Sequence, residues 1–122
     1  MKKIFFAAVV MVALASCESQ KPLYSWYDSE NATYQYTKRA TEETLTKAMA
    51  QYEKVINNQN GVRKAAPPGS NAEYGFLLYK AGKKQEGLTL LNAEVAAYPE
   101  SKTFISRIRC AHRGFARLLW ST

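Results

Sequence analysis

Apolar residues recur at helical spacing along most of the chain, and the clearest case lies between residues 41 and 58. Side chains three or four residues apart share one face of a helix, so this segment is predicted to form an amphipathic helix. The predicted inner face consists of Leu45, Ala48, Met49, Tyr52, Val55 and Ile56. Thr41 is expected to cap this helix, with Glu42 and Glu43 in its first turn near the positive end of the helix dipole.

Other parts of the chain show weaker helical patterns. The predicted helical segments are 28–38, 71–81, 84–97 and a last one from about residue 100. The segment 71–81 has little polar face, so it is expected to be central and buried. The last helix is expected to have Phe104, Ile105 and Ile108 as its apolar side. Since no strand-like alternation persists anywhere, the predicted fold class is all-α, with about four to five helices.

Glycine and proline separate the predicted helices. The linker 62–69 ends in Pro-Pro-Gly, and proline disfavours helix at the residue before it. Ser70 or Asn71 is then expected to cap the next helix. Gly82 is suited to the left-handed conformation that ends helices, and Pro99 is expected to end the following one.

The first residues have the features of a secretory signal. Lys2 and Lys3 precede the uncharged run 4–15, and Cys17 follows two small residues. The run is too short for a relaxed membrane span of about 20 residues. With its cysteine, the pattern resembles the lipobox of bacterial lipoproteins. That resemblance implies removal of residues 1–16 and acylation of Cys17 with chains such as palmitate, two or more of which anchor a protein stably.

The remaining boundaries follow from this interpretation. Residues 17–22 are predicted to be a lipid-anchored tether, 23–106 a helical domain and 107–122 an atypical basic segment. Glu18 follows the lipidated cysteine. In enterobacterial lipoproteins an aspartate there favours the inner membrane, so the resemblance points to the outer membrane, on its periplasmic face.

Charge is distributed unevenly along the predicted mature chain. Residues 17–100 carry ten basic and ten acidic side chains, and the excess of five positive charges lies in residues 101–122. A neutral domain with one basic end, in a periplasmic compartment, is not expected to bind nucleic acid. Such an end suits lipid headgroups, lipopolysaccharide or an acidic partner.

The basic end leaves two alternatives open. It is either a real amphipathic helix or the product of a reading-frame change, and the two are weighted about equally. Cys110 and His112 lie here, but neither a catalytic arrangement nor a zinc site is predicted, because both chemistries need further groups. No enzyme activity is therefore expected, and no cofactor other than the covalent lipid on Cys17.

An aromatic cluster follows the tether and contains the candidate partner-binding residues Tyr24, Trp26 and Tyr27. The first interpretation, favoured about two to one, is that these rings cover the helical core. The second is an exposed patch for a protein partner. Aromatic rings also suit stacking on carbohydrate.

Residues 68–101 resemble one tetratricopeptide unit. The similarity rests on Gly75 where two helices approach, Gly82 at the turn, Gly87 at a small-residue position and Pro99 at the exit. Glu94 departs from the pattern, which usually has a small apolar residue there. A lone repeat cannot bury its own face, so the resemblance implies that the preceding two helices cover it as a second pair.

The domain also resembles a family of short Gram-negative lipoproteins classified as a domain of unknown function. The shared motifs are Lys21-Pro22-Leu23-Tyr24-Ser25-Trp26, Pro67-Pro68-Gly69, Tyr74-Gly75-Phe76-Leu77-Leu78-Tyr79 and Tyr98-Pro99-Glu100-Ser101. Members often accompany a curli-secretion-channel-like lipoprotein, which implies an adaptor or accessory role in envelope export or assembly. The alternative is a module that binds peptidoglycan or lipopolysaccharide.

Overall fold

A computed structural model describes residues 1–3 and 20–111. The helices are α1 (Ser29–Arg39), α2 (Glu42–Asn57), α3 (Ser70–Lys80), α4 (Lys84–Ala97) and α5 (Lys102–Ala111), with a 3-10 turn at Pro99–Ser101 between the last two. No strand occurs within these ranges. The predicted all-α class is therefore confirmed.

Helix α2 forms as its apolar pattern predicts. Ala48, Tyr52 and Val55 are buried, while the other apolar residues of that face are half-buried. The Thr41 side chain accepts a hydrogen bond from the backbone N–H of Thr44, and the Thr44 hydroxyl oxygen accepts one from the N–H of Thr41. Two backbone donors that a helix start leaves unpaired are thus satisfied.

Loss of this cap should be measurable. We expect Thr41→Ala to lower the free energy of unfolding by about 1 kcal/mol, the usual effect of removing a side-chain cap. Thr46→Ala is the matched control, because its hydroxyl donates only to the carbonyl of Glu42 inside the same helix. Alanine favours helix at that exposed position, so chemical denaturation should show no loss for the control. Equal losses for the two variants would contradict the capping assignment.

Helix α3 lies between two hydrophobic clusters. Its Leu77 packs with Ala32, Ala48 and Tyr52 from α1 and α2. On its other side Ala72 packs with Leu88, Leu91 and Ile105. Because α3 contributes residues to both clusters and its apolar residues are buried or half-buried, the prediction that it is central and buried is confirmed.

The α3–α4 hairpin is closely packed at two glycines. A Cβ atom on Gly75 would lie 2.7 Å from the carbonyl oxygen of Gly87, and one on Gly87 would lie 2.5 Å from that of Gly75. Only glycine allows two backbones to approach this closely. Gly82 adopts the predicted left-handed conformation, with φ of 86°, at the turn between the helices.

The start of α3 differs from the prediction. Ser70 and Asn71 lie inside the helix, and the capping residue is Gly69, which has no side chain to act as a cap. Its backbone N–H instead donates to Oε1 of Glu94, at 2.6 Å. The predicted cap is wrong because the helix begins at Ser70, one residue after a glycine that cannot cap it, and a carboxyl group from α4 instead accepts from the N–H of that glycine.

Glu94 is fully buried and connects two segments. Besides Gly69, its Oε1 accepts a weaker hydrogen bond from the Ser101 hydroxyl, at 3.4 Å. Oε2 is buried without a hydrogen-bond partner among the described residues. Its departure from the repeat pattern therefore has a structural reason: the carboxyl group joins the Pro-Pro-Gly linker to the turn that follows α4.

Helix α5 agrees only in part with its predicted apolar side. Ile105 is buried and Ile108 is half-buried, but Phe104 is 55% exposed, so the rest of the described chain covers this apolar side only in part. The helix continues past residue 106, and the Arg109 guanidinium donates a hydrogen bond to Oδ1 of Asn92 in α4. The rest of the basic segment, including His112, lies outside the described residues.

Candidate functional site

The segment 22–27, here called the strap, lies on the loop that follows α2. The backbone carbonyls of Pro22 and Leu23 accept hydrogen bonds from the N–H groups of Val62 and Arg63, at 3.1 and 3.2 Å. These bonds join two segments that are far apart in sequence and lie in no regular element. These backbone contacts hold the start of the strap, just before the candidate residues, against the loop.

The middle of the strap is fixed by one amide side chain. Gln59 accepts a hydrogen bond from the Ser25 N–H at its Oε1 and donates from its Nε2 to the Ser25 carbonyl, both at 2.9 Å. The N–H of Asn60 also donates to the Ser25 hydroxyl oxygen, at 3.2 Å. Sequence reasoning missed Gln59, because a polar loop residue gives no local sign of a distant backbone partner.

Gly61 allows the strap to approach the loop. A Cβ atom at this position would lie 2.4 Å from the carbonyl oxygen of Leu23 and 2.6 Å from Cα of Tyr24. Both are backbone atoms, which a larger side chain would displace. Gly61 therefore allows the strap to pack closely against the loop.

Tyr24 is half-buried and makes contacts inside the protein. Its hydroxyl oxygen accepts a hydrogen bond from Nη1 of Arg63 at 2.9 Å, and the guanidinium lies 5.9 Å from the ring centre. Tyr98 lies nearby and donates its hydroxyl hydrogen to the Ala66 carbonyl at 2.7 Å. Burial is the main cause that raises the pKa of Tyr98, and hydrogen bonding to Tyr24 raises it further. Both favour the protonated hydroxyl group, which can donate.

Trp26 and Tyr27 remain substantially exposed, at 40% and 46%. The Trp26 carbonyl accepts hydrogen bonds from the N–H and hydroxyl of Ser29, at 3.2 and 2.7 Å. Tyr27 donates its hydroxyl hydrogen to the Asn58 carbonyl and accepts a bond from Nδ2 of Asn60. The Tyr27 ring and the Trp26 backbone are therefore held in place, while much of the surface of both rings stays in water.

The three candidate residues thus belong to one strap but differ in exposure. Tyr24 has the half-buried position expected of a covering residue, although it packs on Arg63 of the loop. Trp26 and Tyr27 have the exposure expected of a contact patch. Their role in partner binding stays a prediction.

A polar cleft of about 680 Å³ lies between α1 and α2. Its charged and amide lining residues are Asp28, Asn31, Gln35, Arg39, Glu43, Lys47 and Gln51. Lys47 donates to Glu43 at 2.6 Å, and this hydrogen bond, together with the lysine charge, lowers the pKa of that carboxyl group. Both side chains are largely exposed, so the pair contributes little to stability.

The described residues offer few groups for other chemistry. Cys110 is a free, exposed thiol, and no cluster of three or more metal-binding side chains occurs among these residues. Within the same part of the chain, no helix is both long and apolar enough to cross a membrane. Cys17 lies outside the described residues.

Comparison with known proteins gives two family matches. The family described as "Domain of unknown function (DUF4810)" matches residues 23–108, and the model of the "Prokaryotic membrane lipoprotein lipid attachment site" matches residues 1–17, which end at Cys17. No curated protein and no solved structure matches the chain. Since the first match spans most of the chain, the protein belongs to the DUF4810 family, and its attachment site makes it a membrane-anchored lipoprotein.

Proposed function

We propose that the protein is a non-enzymatic adaptor held in the outer membrane by a lipid on Cys17, with its helical domain in the periplasm. Glu18 beside the lipidated residue supports outer-membrane sorting. The domain would act as an accessory in an envelope export or assembly complex. Its family resemblance favours a curli-secretion-channel-like lipoprotein as the partner.

The architecture proposed for this role is tetratricopeptide-like. The close backbone approach at Gly75 and Gly87 supports it, because such repeats need a small residue where their two helices cross. Packing of α1 and α2 beside α3 supports the second, degenerate pair. Stacked helical pairs form extended surfaces suited to binding other proteins.

The observation that carries the adaptor proposal is the ordered strap with exposed aromatic rings. Trp26 and Tyr27 belong to the residue types that dominate binding energy in protein interfaces. The Tyr27 hydroxyl is already bonded to Asn58 and Asn60, and the Trp26 backbone carbonyl is bonded to Ser29, so little backbone conformational entropy remains to be lost on binding. A partner would thus meet a preorganised contact surface.

The adaptor proposal predicts a large effect of Trp26→Ala. Removing a central interface tryptophan often costs 2 kcal/mol or more, so we expect partner recovery to fall about 30-fold. The measurement is quantitative pull-down of the tagged, acylated protein from detergent-solubilised envelopes. Tyr34→Ala is the matched control, because Tyr34 is an exposed aromatic residue on α1 outside the strap.

Three further results complete this test. Thermal unfolding of Trp26→Ala should be near that of the unchanged protein, which separates binding from folding. Cys17→Ala should lose the partner if anchoring brings the two proteins together. If Trp26→Ala retained both its partner and its stability, the contact assignment would be wrong.

Binding of cell-wall glycan is the second candidate, and the exposure of Trp26 beside amide-rich residues 58–60 favours it. Sedimentation with purified sacculi, with and without residues 107–122, tests this function. Co-sedimentation that depends on Trp26, without recovery of any protein partner, would replace the adaptor proposal.

A further inference from the structure

Two exposed apolar side chains lie where the strap meets the loop after α2. Leu23 is 59% exposed and Val62 is 60% exposed. Their backbones are neighbours, because Leu23 bonds to the residue after Val62 and Pro22 bonds to Val62 itself. Neither side chain is required to cover the helical core, which leaves this small apolar surface to be explained.

Basic residues flank the two apolar residues along the chain. Lys21 precedes them on the strap, while Arg63 and Lys64 follow Val62 on the loop, and all three are exposed. Neither residues 19–27 nor residues 54–72 contain an acidic side chain. Arg63 remains a cation while it donates to Tyr24, so the surface combines three positive charges with exposed aliphatic groups.

This surface is close to the anchoring residue in the chain. Five residue steps separate Cys17 from Pro22, and such a segment spans at most about 18 Å when fully extended. The 86 residues of the matched domain correspond to a sphere about 30 Å across. A tether of this length cannot bring the far side of such a domain to the membrane, so only the half of the domain nearest Pro22 lies within reach.

The opposite end of the α3–α4 hairpin provides a comparison surface. Helix α3 rises about 16 Å over its 11 residues, from the Pro-Pro-Gly linker to Ala81. Ala81 is exposed and lies beside Lys80 and Lys83, so this end is also basic. It lacks the exposed aliphatic pair, and the whole length of α3 separates it from the linker 62–69.

We propose that Lys21, Leu23, Val62, Arg63 and Lys64 form a surface that contacts anionic phospholipid headgroups of the membrane in which the protein is anchored. The cations meet lipid phosphates, and the aliphatic groups enter the headgroup region. The negative charge of Glu18 in the tether offsets one of the three positive charges, so the net charge of this end of the chain is lower. The proposal rests on acylation of Cys17, which is part of the proposed function, and it adds a fixed orientation of the domain on the membrane.

The test uses the acylated mature protein in vesicles of phosphatidylethanolamine and phosphatidylglycerol. A polarity-sensitive fluorophore is attached through Val62→Cys in a Cys110→Ser background, and Ala81→Cys in the same background is the matched control. We expect the emission at position 62 to shift to the blue in these vesicles and that at position 81 to stay as in water. Lys21→Gln and Lys64→Gln should each reduce the membrane-contacting population about fivefold.

The possible outcomes distinguish a failure of the lipid anchor from a failure of the proposed contact surface. Flotation with the vesicles but an unshifted probe at position 62 would overturn the contact surface while leaving the anchor intact. Loss of flotation would overturn the anchor itself, and with it the surface. If the emission shifted equally at positions 62 and 81, adsorption would be unspecific and the proposed surface would be wrong. If the shift at position 62 were as large in phosphatidylcholine vesicles, the proposed contact of the basic residues with anionic headgroups would be wrong.

Discussion

Gly75→Ala is expected to lower the free energy of unfolding by about 2 kcal/mol, although alanine is the better helix former. The new methyl group would lie 2.7 Å from the carbonyl oxygen of Gly87, so the helices must separate. Overpacking costs about 1–3 kcal/mol, and we expect about 3 kcal/mol here because the contacted atom belongs to the backbone, whereas the gain in helix propensity is about 1 kcal/mol. For a domain of this size the melting temperature should fall by roughly 8–16 °C.

The control for Gly75→Ala is Ala93→Gly at an exposed position of α4. Its effect measures helix propensity alone and should be a loss of about 1 kcal/mol. Gly75→Ala/Gly87→Ala should lose less than the sum of its single variants, because the first methyl group already separates the helices. Thermal denaturation of the four variants provides these values, and a stabilised Gly75→Ala would contradict the close crossing.

Glu94→Ala should be similarly damaging, for a different reason. It removes the acceptor for the Gly69 N–H, leaves that donor unpaired and opens a cavity where a fully buried side chain stood. An unpaired buried donor costs about 1–3 kcal/mol, and a cavity adds to that loss. We expect a total of about 2–4 kcal/mol from chemical denaturation.

Glu94→Gln is the matched variant for this position. Glutamine has nearly the same volume and keeps an acceptor oxygen that can face Gly69. We therefore expect it to lose less than half as much as Glu94→Ala. If the two variants lost equal stability, the carboxyl group itself, rather than the presence of an acceptor, would be the stabilising feature.

The helices could be predicted because the residues that determine where they form lie close together in the sequence. The apolar spacing from Leu45 to Ile56, the Thr41 cap and the position of Gly82 each act within one or two helical turns. The resemblance to a repeat also located the crossing at Gly75 and Gly87. Short-range patterns of this kind determine where helices begin, end and bury their faces.

The contacts that were missed join residues distant in the chain. Ser70 was expected to cap α3 by local reasoning, but the acceptor at this helix start belongs to Glu94. Gln59 and Gly61 likewise hold a strap more than 30 residues earlier. Phe104 fits the apolar pattern of α5 but remains exposed, because among the described residues no neighbour covers it.

The candidate site was predictable as a segment but not as a surface. Tyr24, Trp26 and Tyr27 were recognisable as clustered aromatic residues. Their division into one half-buried ring and two exposed rings depends on Arg63, Asn58 and Asn60 in a different loop. Exposure of Val62 beside Leu23 depends on the same long-range contact, which no periodicity encodes.

The position of the strap between the tether and α1 also determines how the domain bears mechanical load. A pull on the anchored cysteine reaches Pro22 and Leu23 first, and their two hydrogen bonds to the loop are loaded before any helix. Hydrogen bonds to the loop hold the strap, whereas the two hydrophobic clusters are formed by residues of the helices. Under such a load we therefore expect the strap to leave the loop before the helices separate. The six residues of the strap span at most about 20 Å when fully extended. A released strap would therefore act as an extensible link between membrane and domain.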